Sequence, residues 1–376
     1  MRVLLVGTSS SLKRNGWFAG LASVLGRENV VRKAIGHSVT YINALFALAE
    51  YSKQGVGWSR PFDVMIMQSN SRDHCSIVGE FKGPSQVAMG TSHFLSSMKI
   101  ALASLPKDMR CIHVCFPCRS YYRGGDPSGE LVREITTEFG VTHVSAEAVL
   151  RRAGYGAPDV FAEDDKIHVI DEVAFEFGAL FAESLRHIEP PPRAGGIDVS
   201  DVARVEPLFG RSQDRMTLDS SVGTYEFGRF RSGDTIRGIG DGWLGAVSFN
   251  AGSTRAYLDI EARYEKLSKS ICSENDGRQH VEYSILREPV RIDPDAVFRV
   301  AGRPSFPIQH ASRQMNLKEP VPGDAALGHA LCYGGHPQLL ADTVAEKIRR
   351  AQDNIDAFIA SGKAVEAFVQ KRLGAP

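Results

Sequence analysis

Ser9 offers a candidate nucleophile in this chain, and Asp165 and His168, three residues apart, offer a candidate acid–base pair. A serine hydroxyl is a weak nucleophile at neutral pH. It attacks a carbonyl only when a base takes its proton, a third group orients the base, and donors receive the oxyanion. Ser9 lies in Gly7-Thr8-Ser9-Ser10-Ser11, directly after the apolar run Val3-Leu4-Leu5-Val6. A buried strand that stops at Gly and small hydroxyl residues sets a serine at its carboxyl end, where open α/β sheets hold ligands. Asp165 precedes His168 by three residues on a turn entering a helix. That spacing can place a carboxylate beside Nδ1 while Nε2 points outward. Gly36 ends a second apolar run and offers a backbone N–H that an oxyanion could approach closely. Asn70 follows a third run and carries an amide donor.

The elements that must position these groups are legible over residues 1–188. Apolar runs at Val3–Val6, Asn29–Ile35, Phe62–Met67, Arg110–Phe116 and Val141–Val144 read as five strands. Helical spacing separates them at Trp17–Leu25, Thr40–Tyr51, Ser85–Leu105 and Gly129–Phe139, and Val169–Leu185 follows the last. Continuous apolar strands alternating with helices predict a parallel sheet covered on both faces, an α/β domain. Glu189-Pro190-Pro191-Pro192-Arg193-Ala194-Gly195-Gly196 reads as a linker. Residues 197–300 carry alternating, turn-punctuated segments such as Thr224–Phe230 and Trp243–Phe249, which predict a β-rich, sandwich-like accessory domain. Residues 301–336 are Pro/Gly/His-rich and read as irregular. Gln338–Leu373 predicts a helical tail broken near Ser361-Gly362, so that 301–376 forms a third region.

Composition narrows the partners. Lys+Arg and Asp+Glu both number 44, so the formal charge is zero. That removes the bulk electrostatic case for nucleic acid or an anionic membrane. No apolar run approaches the ~18 residues that span a bilayer, and the first residues do not form a signal peptide, so a cytoplasmic protein is expected. Six Cys in 376 residues is not a disulfide framework. Cys111, His113, Cys115 and Cys118 raise the question of zinc, but the first three alternate on one strand face and a matching second pair is lacking, so neither a metal nor a cofactor is expected.

Order and spacing of the four blocks resemble the SGNH (GDSL-type) hydrolase and acyltransferase superfamily. The family's Gly-Asp-Ser-x-Ser matches Gly7 to Ser11. Its block-two glycine matches Gly36, its Gly-x-Asn matches Gln68-Ser69-Asn70, and its Asp-x-x-His matches Asp165 to His168. The resemblance implies a flavodoxin-like three-layer sandwich with a parallel five-stranded sheet. It implies Ser9 as nucleophile, His168 as base and Asp165 as its orienter. The Ser9 N–H, the Gly36 N–H and the Asn70 amide would form the oxyanion hole. Thr8 stands where the family has Asp, Gln68 where it has Gly, and Val169 where it often has Pro. The start Gly-Thr-Ser-x-Ser with Gly16-Trp17 beyond it is similar to a branch associated with polysaccharide acylation. The substrate implied is a small-molecule or carbohydrate O-acyl ester, with an acyl thioester as one donor class. Oligomeric state stays open, a homo-oligomer included.

Each feature alone has a plainer reading. Serines at strand ends are mostly turns or caps, and Asp-x-x-His is common. The weight lies in four ordered matches at four strand ends. His336, in Tyr333-Gly334-Gly335-His336-Pro337, is a rival base, but no carboxylate stands three residues before it. Arg72 and Asp73 beside Asn70 could touch substrate or form a surface pair. Trp17 reads as a core or site-wall residue. Trp243 could stack on a sugar, although core packing is the stronger expectation. The non-enzymatic alternative is a carbohydrate-binding or assembly protein on a degenerate scaffold, with Thr8 and Gln68 as its support.

Overall fold

The run after Arg2 forms β1 (Val3–Gly7), and all five of its residues are buried. The computed structural model describes every residue except 37–38, 54–61, 72–90, 123–128, 166, 221–222, 274–277, 310–320, 353 and 375–376. The expectations at Arg72, Asp73 and residues 85–90 fall outside the described residues. The chain divides into two units. The first comprises Met1–Glu80, Ser97–Val199 and Ala341–Pro376, and the second comprises Phe81–Ser96 and Ser200–Leu340.

In the first unit β1 pairs in parallel with β2 (Val30–Ala34) and β3 (Val64–Asn70), and β4 (Arg110–Phe116) and β5 (Thr142–Ser145) extend the sheet. The order is β2-β1-β3-β4-β5. The chain reverses direction of winding at β1, so the carboxyl edges of β1 and β3 bound a crevice. Helices cover both faces, which is why the interior strands β1 and β3 are buried along their whole length, whereas the edge strand β2 alternates. One face packs Val3, Leu5, Ile66, Val114 and Phe116 against α1 (Trp17–Leu25) and α6 (Asp171–Ser184). α2 (Thr40–Lys53), the Ser97–Ala103 part of α3 (Thr91–Ala103) and α4 (Gly129–Glu138) also belong to this unit, as does α5 (Ala146–Arg152). Trp17 is wholly buried, with its ring edge-on to Phe116 at 5.2 Å and against Phe181 at 5.3 Å. It is a core residue, contributing burial of roughly 1.5–3 kcal/mol or more.

Three expectations change within the first unit. The proline run is not a free linker. Arg193, 1% exposed, donates to the carbonyls of Phe139, Leu102 and Leu105 and so pins the segment to the ends of α4 and α3. Burial lowers its pKa to about 10, so it stays charged at neutral pH. The C-terminal helices, α7 (Pro337–Ala351) and α8 (Ile355–Arg372), are not a separate tail, because Ala341–Pro376 belongs to the first unit. The break also falls between α7 and α8 rather than at Gly362, which lies inside α8. A Cβ on Gly362 would overlap the carbonyl of His143 on β5, so glycine there marks close packing and not a helix end.

The second unit is β-rich. One sheet runs β13 (Val281–Ile292), β10 (Gly242–Asn250), β16 (Ala325–Tyr333), β8 (Gly223–Phe230) and β7 (Arg215–Ser220), and β6 (Ala203–Pro207) also pairs with β16. The other runs β15 (Ile308–Gln309), β12 (Lys266–Cys272), β11 (Arg255–Glu261), β14 (Val297–Ala301) and β9 (Thr235–Ile236). Inner faces of both sheets share one apolar core through Leu244, Phe249, Leu258, Phe298 and Leu327. The irregular reading of 301–336 is corrected by β16, which sits in the interior of the first of these sheets.

Lys269 breaks the apolar pattern. It lies on β12 between Leu267 and Ile271, which belong to that core, and is 2% exposed. Its Nζ has no hydrogen-bond partner among the described residues. Burial pushes its pKa from 10.5 down to about 7. Below pH 7 the amine is charged in both folded and unfolded chains, and its burial opposes folding in full. Between about 7 and 10.5 only the unfolded chain holds the proton, so stability rises with pH through that window. Lys269→Met is expected to raise the unfolding free energy at pH 7 by on the order of 3–4 kcal/mol and to flatten the rise. Urea unfolding of both proteins from pH 6 to 10 measures it, and parallel pH profiles would refute it. No helix among the described residues is long and apolar enough to cross a membrane.

Candidate active site

β1 ends at Gly7, and the chain turns through a single helical turn, Ser9–Ser11, closed by Ser11 N–H to Thr8 O and Leu12 N–H to Ser9 O, both 3.0 Å. Ser9 thus leaves the sheet at the carboxyl edge of a strand flanked by β2 and β3. The Asn43 amide donates to Gly7 O at 2.8 Å and the Arg32 guanidinium to Ser11 O at 2.9 Å. Arg32 is itself fixed over the Phe18 ring, 4.1 Å from its centroid.

His168 arrives from the loop before α6. Its Nε2 lies 2.7 Å from Ser9 Oγ. Its Nδ1 lies 2.9 Å from Asp165 Oδ2 and 3.1 Å from Oδ1. With Nδ1–H donating to the carboxylate, Nε2 carries the lone pair that accepts the Ser9 proton. Asp165 Oδ1 also accepts the N–H groups of Ile167 and His168, each at 2.9 Å, so the acid is clamped as an Asx turn onto the residue it orients. Desolvation pushes the Asp165 carboxyl up, but the His168 and Ile167 N–H groups and the His168 ring outweigh it and hold the carboxyl below its usual range. Asp165 is therefore held as the carboxylate at neutral pH. Side chains of His168 and Asp165 are 21% and 32% exposed, so the line is open on one side to a substrate.

Two devices join the serine turn to the histidine loop. Lys13 Nζ donates to Val169 O at 3.3 Å and pairs with Asp171 at 3.2 Å. Beneath them, α1 and α6 meet through Gly20 and Gly178. A Cβ on Gly20 would overlap the Phe175 carbonyl, and one on Gly178 would overlap the Trp17 carbonyl. The helix that leaves the serine turn and the helix that follows His168 thus touch backbone to backbone. Arg119 holds the acid loop from its other side through the carbonyls of Ala162 and Glu163, both at 3.1 Å.

The candidate oxyanion donors lie on the same edge. Gly36 follows β2, whose last residue pairs with Gly7. Asn70 is the last residue of β3 rather than a residue beyond it, and is 3% exposed. The Ser9 and Gly36 N–H groups have no protein acceptor among the described residues. Gln68, two residues before Asn70, points under the serine turn. Its Oε1 accepts Ser11 Oγ–H at 2.8 Å and Thr8 N–H at 3.2 Å. In the sequence Gln68 stands out only as a departure from Gly-x-Asn and as support for the non-enzymatic alternative. Its spacing from Asn70, which puts both on one face of β3, was the available signal.

The remaining chemistry-bearing residues lie elsewhere. His336 stands in the second unit, edge-on to Trp243 at 4.6 Å. His113 is in a buried network, with Nε2 2.8 Å from Ser69 Oγ and 3.2 Å from Tyr41 OH, and Nδ1 3.2 Å from His143 Nδ1. Cys111, Cys115 and Cys118 are buried thiols, and burial pushes Cys111 up to about 12. A cavity of about 530 Å³ opens beside β5 between Arg133, His143, Glu147 and Arg151, but it includes none of Ser9, Asp165 or His168. Its guanidinium groups are matched by carboxylates, Arg133 with Glu130 and Arg151 with Glu147.

No family model matches the chain, and no curated protein is significantly similar to it. Similar solved structures include the capsular polysaccharide assembling protein CapF from Staphylococcus aureus, at 9% identity, covering 89% of this chain and 96% of that chain with a TM-score of 0.21. Translation elongation factor SelB from Methanococcus maripaludis is similar at 9% identity, over 88% of this chain and 79% of that chain, with a TM-score of 0.20. Superposition at this level identifies no shared fold.

Proposed function

We propose that the chain is a serine-dependent acyl-transfer enzyme of the SGNH type that works through an acyl-Ser9 intermediate. The observation that carries the reading is the unbroken line from Ser9 Oγ to His168 Nε2 at 2.7 Å and from His168 Nδ1 to Asp165 Oδ2 at 2.9 Å. In the first step His168 takes the Ser9 proton as Oγ bonds to the carbonyl carbon. The oxyanion is received by the Ser9 and Gly36 N–H groups and the Asn70 amide. His168 then returns the proton to the leaving alcohol, and the C–O bond to that group breaks. In the second step water or an acceptor hydroxyl loses its proton to His168, attacks acyl-Ser9 and restores the free serine. Asp165 stays ionised throughout and stabilises the imidazolium. An O-acylated carbohydrate is the substrate class that the resemblance favours.

The carbohydrate-binding alternative drew on Thr8 and Gln68. Both are buried beneath the serine turn and leave the hydroxyl, imidazole and carboxylate in line, which favours the catalytic reading. An activated acetyl ester tests it. The expected result is a burst of alcohol of about one equivalent per chain, followed by slower turnover. The absence of both burst and turnover would overturn it.

A further inference from the structure

Gln68 occupies a place that no triad requires. It sits on β3, next in register to the Val6–Met67 pair and therefore beside Gly7. Its side chain is wholly buried and crosses to β1. There a single oxygen, Oε1, takes the N–H of Thr8, the residue before the nucleophile, and the hydroxyl of Ser11, two residues after it. The amide nitrogen is turned back to Ser69 O at 2.8 Å, which fixes which end of the amide faces the turn. The backbone of Gln68 is tied as well, since its carbonyl accepts Thr40 Oγ1–H at 2.7 Å. Gly7 belongs to the same device. A Cβ there would overlap Ser11 Oγ and lie 2.9 Å from Gln68 Oε1, so the strand must end in glycine for this bond pair to form.

Its geometric consequence concerns two strands at once. The Ser9 turn is short and stands at the sheet edge, and its own two backbone bonds do not fix it to β3. Gln68 does, from both ends of the turn. Asn70 follows Gln68 by two residues and shares its face of β3. Any slip of the turn along β3 would therefore move the nucleophile relative to Asn70. Misplacement of reacting groups by about 1 Å is enough to lose on the order of 10²-fold in rate.

We infer that Gln68 is a positioning residue for acyl transfer, locking the Ser9 turn to the strand that carries Asn70. This rests on the acyl-transfer reading of the site. Gln68 touches neither substrate nor Ser9 Oγ and acts through Thr8 and Ser11.

The test compares wild type, Gln68→Met, Gln68→Glu and Ser11→Ala in acylation by an activated acetyl ester, with fluorophosphonate labelling as a second rate. Gln68→Met keeps the length of the side chain and removes both acceptor bonds. It is expected to lose about 10²-fold in kcat with KM held within about threefold. Ser11→Ala removes one bond and is expected to lose about tenfold. Gln68→Glu supplies a readout that a packing role would not move. Its protonated carboxyl can mimic the amide, accepting at one oxygen and donating to Ser69 O with the other. Ionisation sets a carboxylate against that carbonyl. The variant should therefore gain a falling limb of activity as pH rises that wild type lacks. A folded Gln68→Met that acylates within twofold of wild type would overturn the inference. So would a Gln68→Glu with the wild-type pH profile, which decides the matter if Gln68→Met does not fold. Failure of the wild type itself to acylate is a different outcome, because it overturns the acyl-transfer reading and the role of Gln68 with it.

Discussion

Ser9→Ala and His168→Ala are each expected to lower acyl transfer by about 10⁴-fold or more, with Asp165→Asn close behind at about 10³–10⁴-fold. The size follows from the geometry. The 2.7 Å contact from His168 Nε2 to Ser9 Oγ is the proton path, and no second base lies along it among the described hydrogen bonds. Loss of the imidazole leaves an un-ionised hydroxyl at neutral pH. Asp165→Asn is the finer test. An amide retains the shape and can still accept at one atom, but it presents an N–H as well. Where the amide donates to Nδ1, the ring is held in the tautomer whose Nε2 carries the proton, and that form cannot take another from Ser9. The double variant Ser9→Ala/His168→Ala should lose little more than either alone, because the residues act as a unit. Additive losses would mean that the two groups serve separate steps. Steady-state rates with an activated ester, with circular dichroism to establish folding, measure all four.

The second large effect arises away from the reacting atoms. Gly178→Ala and Gly20→Ala each place a methyl where a backbone carbonyl of the facing helix now sits. No side chain can yield there, because the obstruction is main chain. α1 and α6 must move apart, and they hold the serine turn and the histidine loop respectively. A shift near 1 Å predicts about 10²-fold loss in kcat, with a stability loss of about 1–3 kcal/mol from overpacking. Gly210→Ala is the control, since a Cβ there meets nothing within 4 Å. Fluorophosphonate labelling should slow in parallel with turnover in the two helix variants and not in the control. Full activity in a folded Gly178→Ala would show that the helix contact does not set the Ser9–His168 distance.

Much of the first unit was legible because its physics is local. β1 and β3 carry short apolar runs that end in small or polar residues, and the long helices keep their period. Asp165 and His168 were legible for the same reason, since their pairing is closed within one turn. What the sequence hid depends on partners far along the chain. β16, Ala325–Tyr333, carries two-sided burial with small residues and a glycine, so it shows neither alternation nor a strong apolar run. Gly362 reads as a helix break until β5 is placed against it. Arg193 looks like a linker charge until three carbonyls surround it. Gln68 stands where the SGNH blocks that the sequence resembles have glycine, and only its register beside Gly7 shows that the side chain holds the serine turn. Lys269 had no signal beyond its presence in a β segment, because alternation cannot foretell a buried amine.

In the proposed reaction Ser9 is the residue that becomes covalently modified. A fluorophosphonate followed by proteolysis and mass spectrometry reads this directly. One adduct per chain is expected, carried on the peptide containing Gly7–Ser11 and located at Ser9, with labelling slowed by at least about 10³-fold in His168→Ala. An unmodified Ser9, or an adduct that forms equally fast without His168, would contradict it.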